Sequence, residues 1–424
     1  MLFLASLLVL AGTDLEAAAP KPANKADAAT NAQKPIIVTA IRLKDSADAV
    51  RRCVERHCPP DQDIAAALAH AENQFISGDY RGARNTLNAA RGRDRRFASK
   101  FPVQVASLVR ASARVSAHLG EGESYRIETI DALDALKQGL PGDDPRVLAG
   151  RLEIGDMQAR LGALLTAQRI YEDTADRAKR LGVANVEGLA LLRLANLFDK
   201  QGSEEGKLSP EAERILDGMI AEKDPQKKSF VGAALLLKAQ MANRAHDPRA
   251  PMLVEQAIKT LPGTSRPVLV FAPSIADIGK SARGVDGRAD FIEGVAPTSP
   301  AGRSAWETQL DQLATQNFDD QWVDIAFFVT PDGHVSEPDV IRKSSKLDDS
   351  GWVKQLLASI AARRYLPLDR DANDPGVARV ERYTLTSLWR KGTGTGIQQR
   401  SVDGHIEMLD LSVDAPPAKP AASN

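Results

Sequence analysis

The chain is short of the features that would mark a familiar chemistry. It has two cysteines and six histidines in 424 residues, and 5% of it is aromatic. So few thiols exclude a fold built on disulfides or on a multi-cysteine metal cluster. The net charge of −1 at pH 7 excludes the whole-chain basicity with which proteins hold nucleic acid or anionic lipid. Beyond the first residues, no run approaches the roughly eighteen apolar residues that a membrane-spanning helix needs. Also missing are Gly-x-Ser-x-Gly, His-Glu-x-x-His and Gly-x-x-x-x-Gly-Lys-Ser/Thr, the local marks of a nucleophile elbow, a zinc protease and a phosphate loop. Gly392-Thr-Gly-Thr-Gly396 neither follows a buried strand nor opens a helix, and His334 reads as a turn residue, not a catalytic base. A non-enzymatic protein is expected, with no cofactor, no metal and no evident small-molecule substrate.

What is present begins with a leader-like segment. Met1 to Gly12 is nearly all apolar and Ala17-Ala18-Ala19 follows, so residues 1–19 have the outline of a secretory signal; left uncleaved, it would be an N-terminal tether. Export sets the reading of Arg52-Cys-Val-Glu-Arg-His-Cys-Pro59. In an oxidising compartment, Cys53 and Cys58 are expected to form a disulfide. Five residues apart is too far for an S–S bond within an unbroken helix, so the helix must stop, and Pro59-Pro60 is placed to stop it. The competing site, a metal held by Cys53, His57 and Cys58, lacks a second ligand pair nearby.

Residues 20–60 read as a linker carrying one β-prone run, Ile36-Ile37-Val38-Thr39-Ala40, and the cysteine pair. From 61 to 262 the chain is rich in Ala and Leu at helical spacing, broken by Gly-Asp and Pro-Gly-Asp-Asp clusters, which predicts antiparallel helical hairpins. Gly78, Tyr80, Ala83, Leu87 and Ala90, with Ala71 before them, resemble the tetratricopeptide repeat, and Gly155, Gly162, Ala167 and Tyr171 repeat the pattern. Small residues would let paired helices approach while Leu87 and Tyr171 fill the gaps between neighbouring hairpins. Weaker copies at 101–139, 189–220 and 233–262 bring the expected array to four or five hairpins.

Residues 263–316 read as a connector, with Arg266 to Pro273 extended and Ser304 to Gln316 helical. Trp322-Val-Asp-Ile-Ala-Phe-Phe-Val329 then alternates so that Val323, Ile325, Phe327 and Val329 share a face, and Pro331-Asp-Gly-His334 supplies a turn. Val335 to Ser345 returns. Asp348, Asp349 and Ser350 offer N-cap side chains to a helix whose Val353, Leu356, Leu357 and Ile360 form one stripe. Arg379 to Trp389 closes a ββαβ unit spanning 317–400, with a final strand at His405 to Val413 and a disordered tail completing 401–424. The fold class expected is α+β: an all-α helical hairpin array followed by a small ββαβ domain.

Trp322 to Val329, Pro331-Asp-Gly-His-Val335, Arg342-Lys-Ser-Ser345, Leu347-Asp348 and Arg364-Tyr-Leu-Pro367 occur in an order and spacing that resemble the TonB C-terminal domain. The likeness covers about a sixth of the chain. It implies a periplasmic module whose last strand is an open edge that pairs with extended peptides, among them the N-termini of outer-membrane receptors. On this chain that edge would be Val380, Glu381, Arg382, Tyr383, Thr384 and Leu385, which would act by strand addition. Ile36 to Ala40 resembles the TonB-box segment such strands bind, which would allow self-association. A proton-driven transducer of this type would carry a spanning N-terminal helix and a long Pro-rich span. Here a helical scaffold stands in their place, which fits a binding adaptor or an assembly scaffold better than a divergent energy transducer.

Overall fold

The computed structural model describes residues 42–202, 208–261, 266–273, 318–347, 351–391 and 398–412. The leader-like segment, the run Ile36 to Ala40, the Ser304 to Gln316 helix and the tail past Ser412 lie outside the described residues. Those described are mixed helix and antiparallel sheet, an α+β architecture.

Eleven helices come first among the described residues: α1 (Leu43–Arg56), α2 (Pro60–Ile76), α3 (Tyr80–Asp94), α4 (Pro102–His118), α5 (Gly122–Gly139), α6 (Pro145–Arg160), α7 (Leu164–Arg180), α8 (Ala184–Gly202), α9 (Pro210–Ile220), α10 (Lys228–Arg244) and α11 (Ala250–Thr260). Proline stands in the first turn of α2, α4, α6, α9 and α11, where its missing N–H costs no helical bond. Asp79 and Asp144 accept from the amides of Gly82 and Arg146 and so cap α3 and α6. Each helix packs on its sequence neighbours, while α2 also touches α4 and α8 touches both α6 and α10. Consecutive hairpins therefore stack in chain order.

The small residues singled out by the sequence sit at the contacts. Ala71, Tyr80, Ala83, Leu87 and Ala90 are all buried, as are Ala167 and Tyr171. Tyr171 differs in detail from its expected gap-filling role. Its ring lies against Gly155 of its own hairpin, where a Cβ would collide with it, and its hydroxyl donates to Asp156 Oδ1 at 2.7 Å. α1 ends with His57 in the left-handed conformation at φ 54°. That reversal brings Cys53 and Cys58 to a Cα separation of 5.1 Å and into a disulfide. The helix thus stops at Arg56, two residues before Cys58, and Pro60 opens α2 instead of ending α1.

The rest is sheet. Short β1 (Leu269–Phe271) pairs with β4 (Arg364–Tyr365), and the larger sheet contains β2 (Trp322–Val329), β3 (Val335–Lys343), β5 (Val377–Lys391) and β6 (Gln398–Asp410), with α12 (Trp352–Ala361) between β3 and β4. Its strand order is β3-β2-β5-β6, all neighbours antiparallel. The expected turn is present: Gly333 has φ +84° and Thr330 N–H donates to His334 O at 2.9 Å. Val323, Ile325, Phe327 and Val329 are buried against Val353, Leu356 and Ile360 of α12. α12 is capped by Gly351 without a side-chain bond. The expected caps Asp348, Asp349 and Ser350 fall outside the described residues.

The major correction concerns β5. The strand expected to be the open edge is interior. From Trp322↔Thr384 to Val329↔Val377 it pairs with β2, and on its other side it pairs with β6 from Glu381↔Asp410 onward. Past the start of β2, the α4–α5 turn takes over, Trp389 N–H donating to Gly120 O at 2.8 Å. The polar backbone of Val380 to Leu385 is already satisfied on both sides, so it cannot recruit another strand.

Candidate functional site

The polar side chains from Glu381 to Thr386 are as fully engaged as the backbone that carries them. Alternation sends Arg382, Thr384 and Thr386 to one face and Glu381 and Tyr383 to the other. The first face meets the α2–α3 turn and the end of α4. Arg382 is fully buried. Its Nε donates to Asp324 Oδ1 at 2.6 Å and Nη2 to Asp324 Oδ2 at 2.9 Å. Nη2 also donates to Ile76 O at 2.7 Å, and Nη1 donates to Phe75 O. These carbonyls belong to the last turn of α2, where a cation is favoured by the helix dipole. The guanidinium lies 4.0 Å from the Trp322 ring centroid, and Gly78 at φ +89° leaves the space that Trp322 occupies. Desolvation of this cation is offset by a bidentate carboxylate, two carbonyls and an aromatic face.

Thr384 extends the seam. Its Oγ1 shares hydrogen bonds with Tyr80 Oη at 2.9 Å and with His118 Nδ1 at 3.0 Å. The His118 ring stands edge-on to Phe75 at 4.8 Å and to Tyr80 at 5.7 Å. Burial pulls the His118 imidazole down to about 4, with the nearby Arg160, Arg114 and Arg382 adding to the fall and Glu407 opposing it. Burial likewise pushes the Tyr80 hydroxyl up to about 12. Farther along, Arg160 Nη1 donates to both Glu407 oxygens at 2.6 Å. Burial alone would raise the Glu407 carboxyl. The His405 bond and the positive Arg160 outweigh burial and hold it at about 2.

The opposite face carries a second buried cation. Arg363 donates to Glu381 Oε2 at 2.8 Å and to Tyr383 Oη at 2.6 Å, under α12. Thus five of the six residues expected to meet a peptide lie buried or partly buried in two internal networks or beside them, and Val380 is half-buried with its N–H given to Ser412 Oγ. Sequence reading missed this seam. One signal was available: Asp324 stands in an otherwise apolar strand, and a buried carboxylate requires a cation at its register partner, which is Arg382.

Two rims of the sheet remain. β3 is a poor template for pairing: Pro338 lacks an N–H, Glu337 has φ +52° and two register shifts interrupt its ladder. β6 pairs residue for residue from Gly404 to Asp410 with Ser387 to Glu381. Among the described residues no strand pairs with its outer side. Ile406 and Met408 lie half-buried at the rim of the sheet core. No group of three or more His, Cys, Asp or Glu able to hold a metal occurs among the described residues. No helix there is long and apolar enough to cross a membrane.

No protein-family model matches the chain, and no curated relative does. Among solved structures it aligns with the crystal structure of BtubC (BKLC) from P. vanneervenii at a TM-score of 0.37 and 14% identity, over 53% of this chain and 93% of that one. A superposition that loose assigns no fold.

Proposed function

We propose that the chain is a non-enzymatic, exported protein-binding scaffold that takes up extended peptide segments by strand addition at the outer rim of β6. In this reading the hairpins are a tetratricopeptide-like array and the sheet is a TonB-C-terminal-like module, working in the periplasm on partners such as receptor N-termini. The observation that carries it is the contrast between rims: β6 offers seven consecutive regular positions, Gly404 to Asp410, whose outer side pairs with no strand among the described residues, whereas β3 is broken by Pro338 and its bulges. Unpaired N–H and C=O groups along such a rim supply peptide affinity without a pocket. Photo-crosslinkers placed at Ile406 and Met408 of the exported protein test it. Adducts from these two positions with partner N-terminal segments are expected; partner adducts that form only from crosslinkers placed in residues 61–262, with none from Ile406 or Met408, would overturn it.

A second reading has its own support. The seam commits the Arg382 and Thr384 face of β5 to the helical array, as a purely structural brace would, leaving the array to bind partners. The same crosslinking distinguishes the two.

A further inference from the structure

We infer that the contact between the helical array and the sheet is an acid-released clamp, with the His118 imidazole as the group that takes up a proton when the two part. The inference stands on the seam's geometry and is independent of whether β6 binds peptides, because opening uncovers the inner face of the sheet and not that rim.

His118 is the last residue of α4 and is buried. It is enclosed by elements from both sides of the seam: Phe75 of α2, Tyr80 of α3 and Thr384 of β5. The charges that act on it are Arg114 on its own helix, Arg160 at the end of α6, Arg382 on β5 and Glu407 on β6. Three of the four are cations. The single carboxylate already accepts two bonds from Arg160 and lies 3.1 Å from His405 Nε2. A proton on the enclosed ring would therefore be a fourth positive charge in a buried site that has no free counter-ion among the described residues. In the parted form the ring is in water and titrates near its ordinary value of about 6.5.

The sign follows from these two values. The closed form holds the imidazole at about 4, so between pH 6.5 and 4 the parted form binds more protons and acid favours it. From pH 7.5 to 5.0 the parted population should rise about thirtyfold on this group alone. Two neighbours do not confound that window. Glu407, held at about 2, stays ionised throughout. Asp94, which burial and then Asp63 raise to about 7, works with the opposite sign and sits at the far end of α3.

The seam contains its own reporter. Trp389 N–H donates to Gly120 O in the turn two residues after His118, so its exchange with solvent requires parting. Amide exchange at Trp389 in the full-length chain, corrected for the intrinsic pH dependence, should speed up about thirtyfold from pH 7.5 to 5.0. In His118→Gln the same change should be less than about threefold. Equal pH responses in the two proteins, or none in the wild type, would overturn the clamp. If His118→Gln leaves Trp389 unprotected at neutral pH, the wild-type ring decides, followed by carbon-13 labelling of histidine. A ring still neutral below pH 5.5 while Trp389 is protected supports the inference. One that titrates near its ordinary value in the protected form overturns it.

Discussion

β5 and β6 are neighbours in one sheet, and they show what makes a strand available. β5 is saturated: β2 and the Gly120 turn hold one edge, β6 the other, and both faces carry buried arginine networks. β6 uses one edge, and among the described residues no strand pairs with the other. Alternating polar residues such as Arg382, Thr384 and Thr386 look alike in sequence whether they face solvent, a peptide or another part of the same chain. What separates these cases is whether each polar group has an internal partner, and Arg382, Thr384 and Thr386 all do.

The sharpest way to break the contrast is at Arg382. Arg382→Leu leaves Asp324 with Arg342 as its ion-pair partner, removes the bonds that Arg382 gives to the Phe75 and Ile76 carbonyls, and should cost about 3–5 kcal/mol, read from denaturant midpoints. Arg382→Leu combined with Asp324→Leu should recover much of that loss, since the buried carboxylate, left with only the half-exposed Arg342, is removed with its partner. A fully solvated Arg382, as an open edge would place it, predicts a change within about 0.5 kcal/mol.

Gly78→Leu tests the same seam from the array side. The residue has φ +89°, and its new side chain would meet Trp322. The left-handed backbone alone costs about 1–2 kcal/mol, and loosening of Trp322 should appear as a red-shifted, more quenchable tryptophan emission. A pH series gives a third test. Because Glu407 is held at about 2 in the fold, its stabilisation is present above its ordinary carboxylate value and is lost as pH falls through about 2. Glu407→Gln should flatten the fall in denaturant midpoint between pH 5 and 2. The smallest effect belongs to β3: Ile341 is exposed, and Ile341→Lys should change stability by less than about 0.5 kcal/mol and leave peptide binding unaltered.

Much of the local structure was legible. Pro331 to His334 fixes its turn through Gly333, the Val353, Leu356 and Ile360 stripe finds the sheet, and the small residues Ala71, Ala83 and Gly155 mark where helices touch. These depend on spacing within one or two elements. The identity of the edge strand was not legible, because it depends on β6 returning across residues 392–397 to pair along β5, a contact that no local periodicity encodes. The seam was hidden for a related reason: Tyr80, His118 and Thr384 lie hundreds of residues apart or on separate elements, and only the fold brings them within hydrogen-bonding distance.

The central claim is that binding capacity lies on β6 and not on β5. Amide exchange of the full-length chain with and without a synthetic receptor N-terminal peptide tests it most directly. The account predicts new protection within Gly404 to Asp410 and none in Val380 to Leu385, whose amides are already bonded within the sheet or to Ser412. Protection gained at Val380 to Leu385, with Gly404 to Asp410 displaced and exchanging faster, would contradict it.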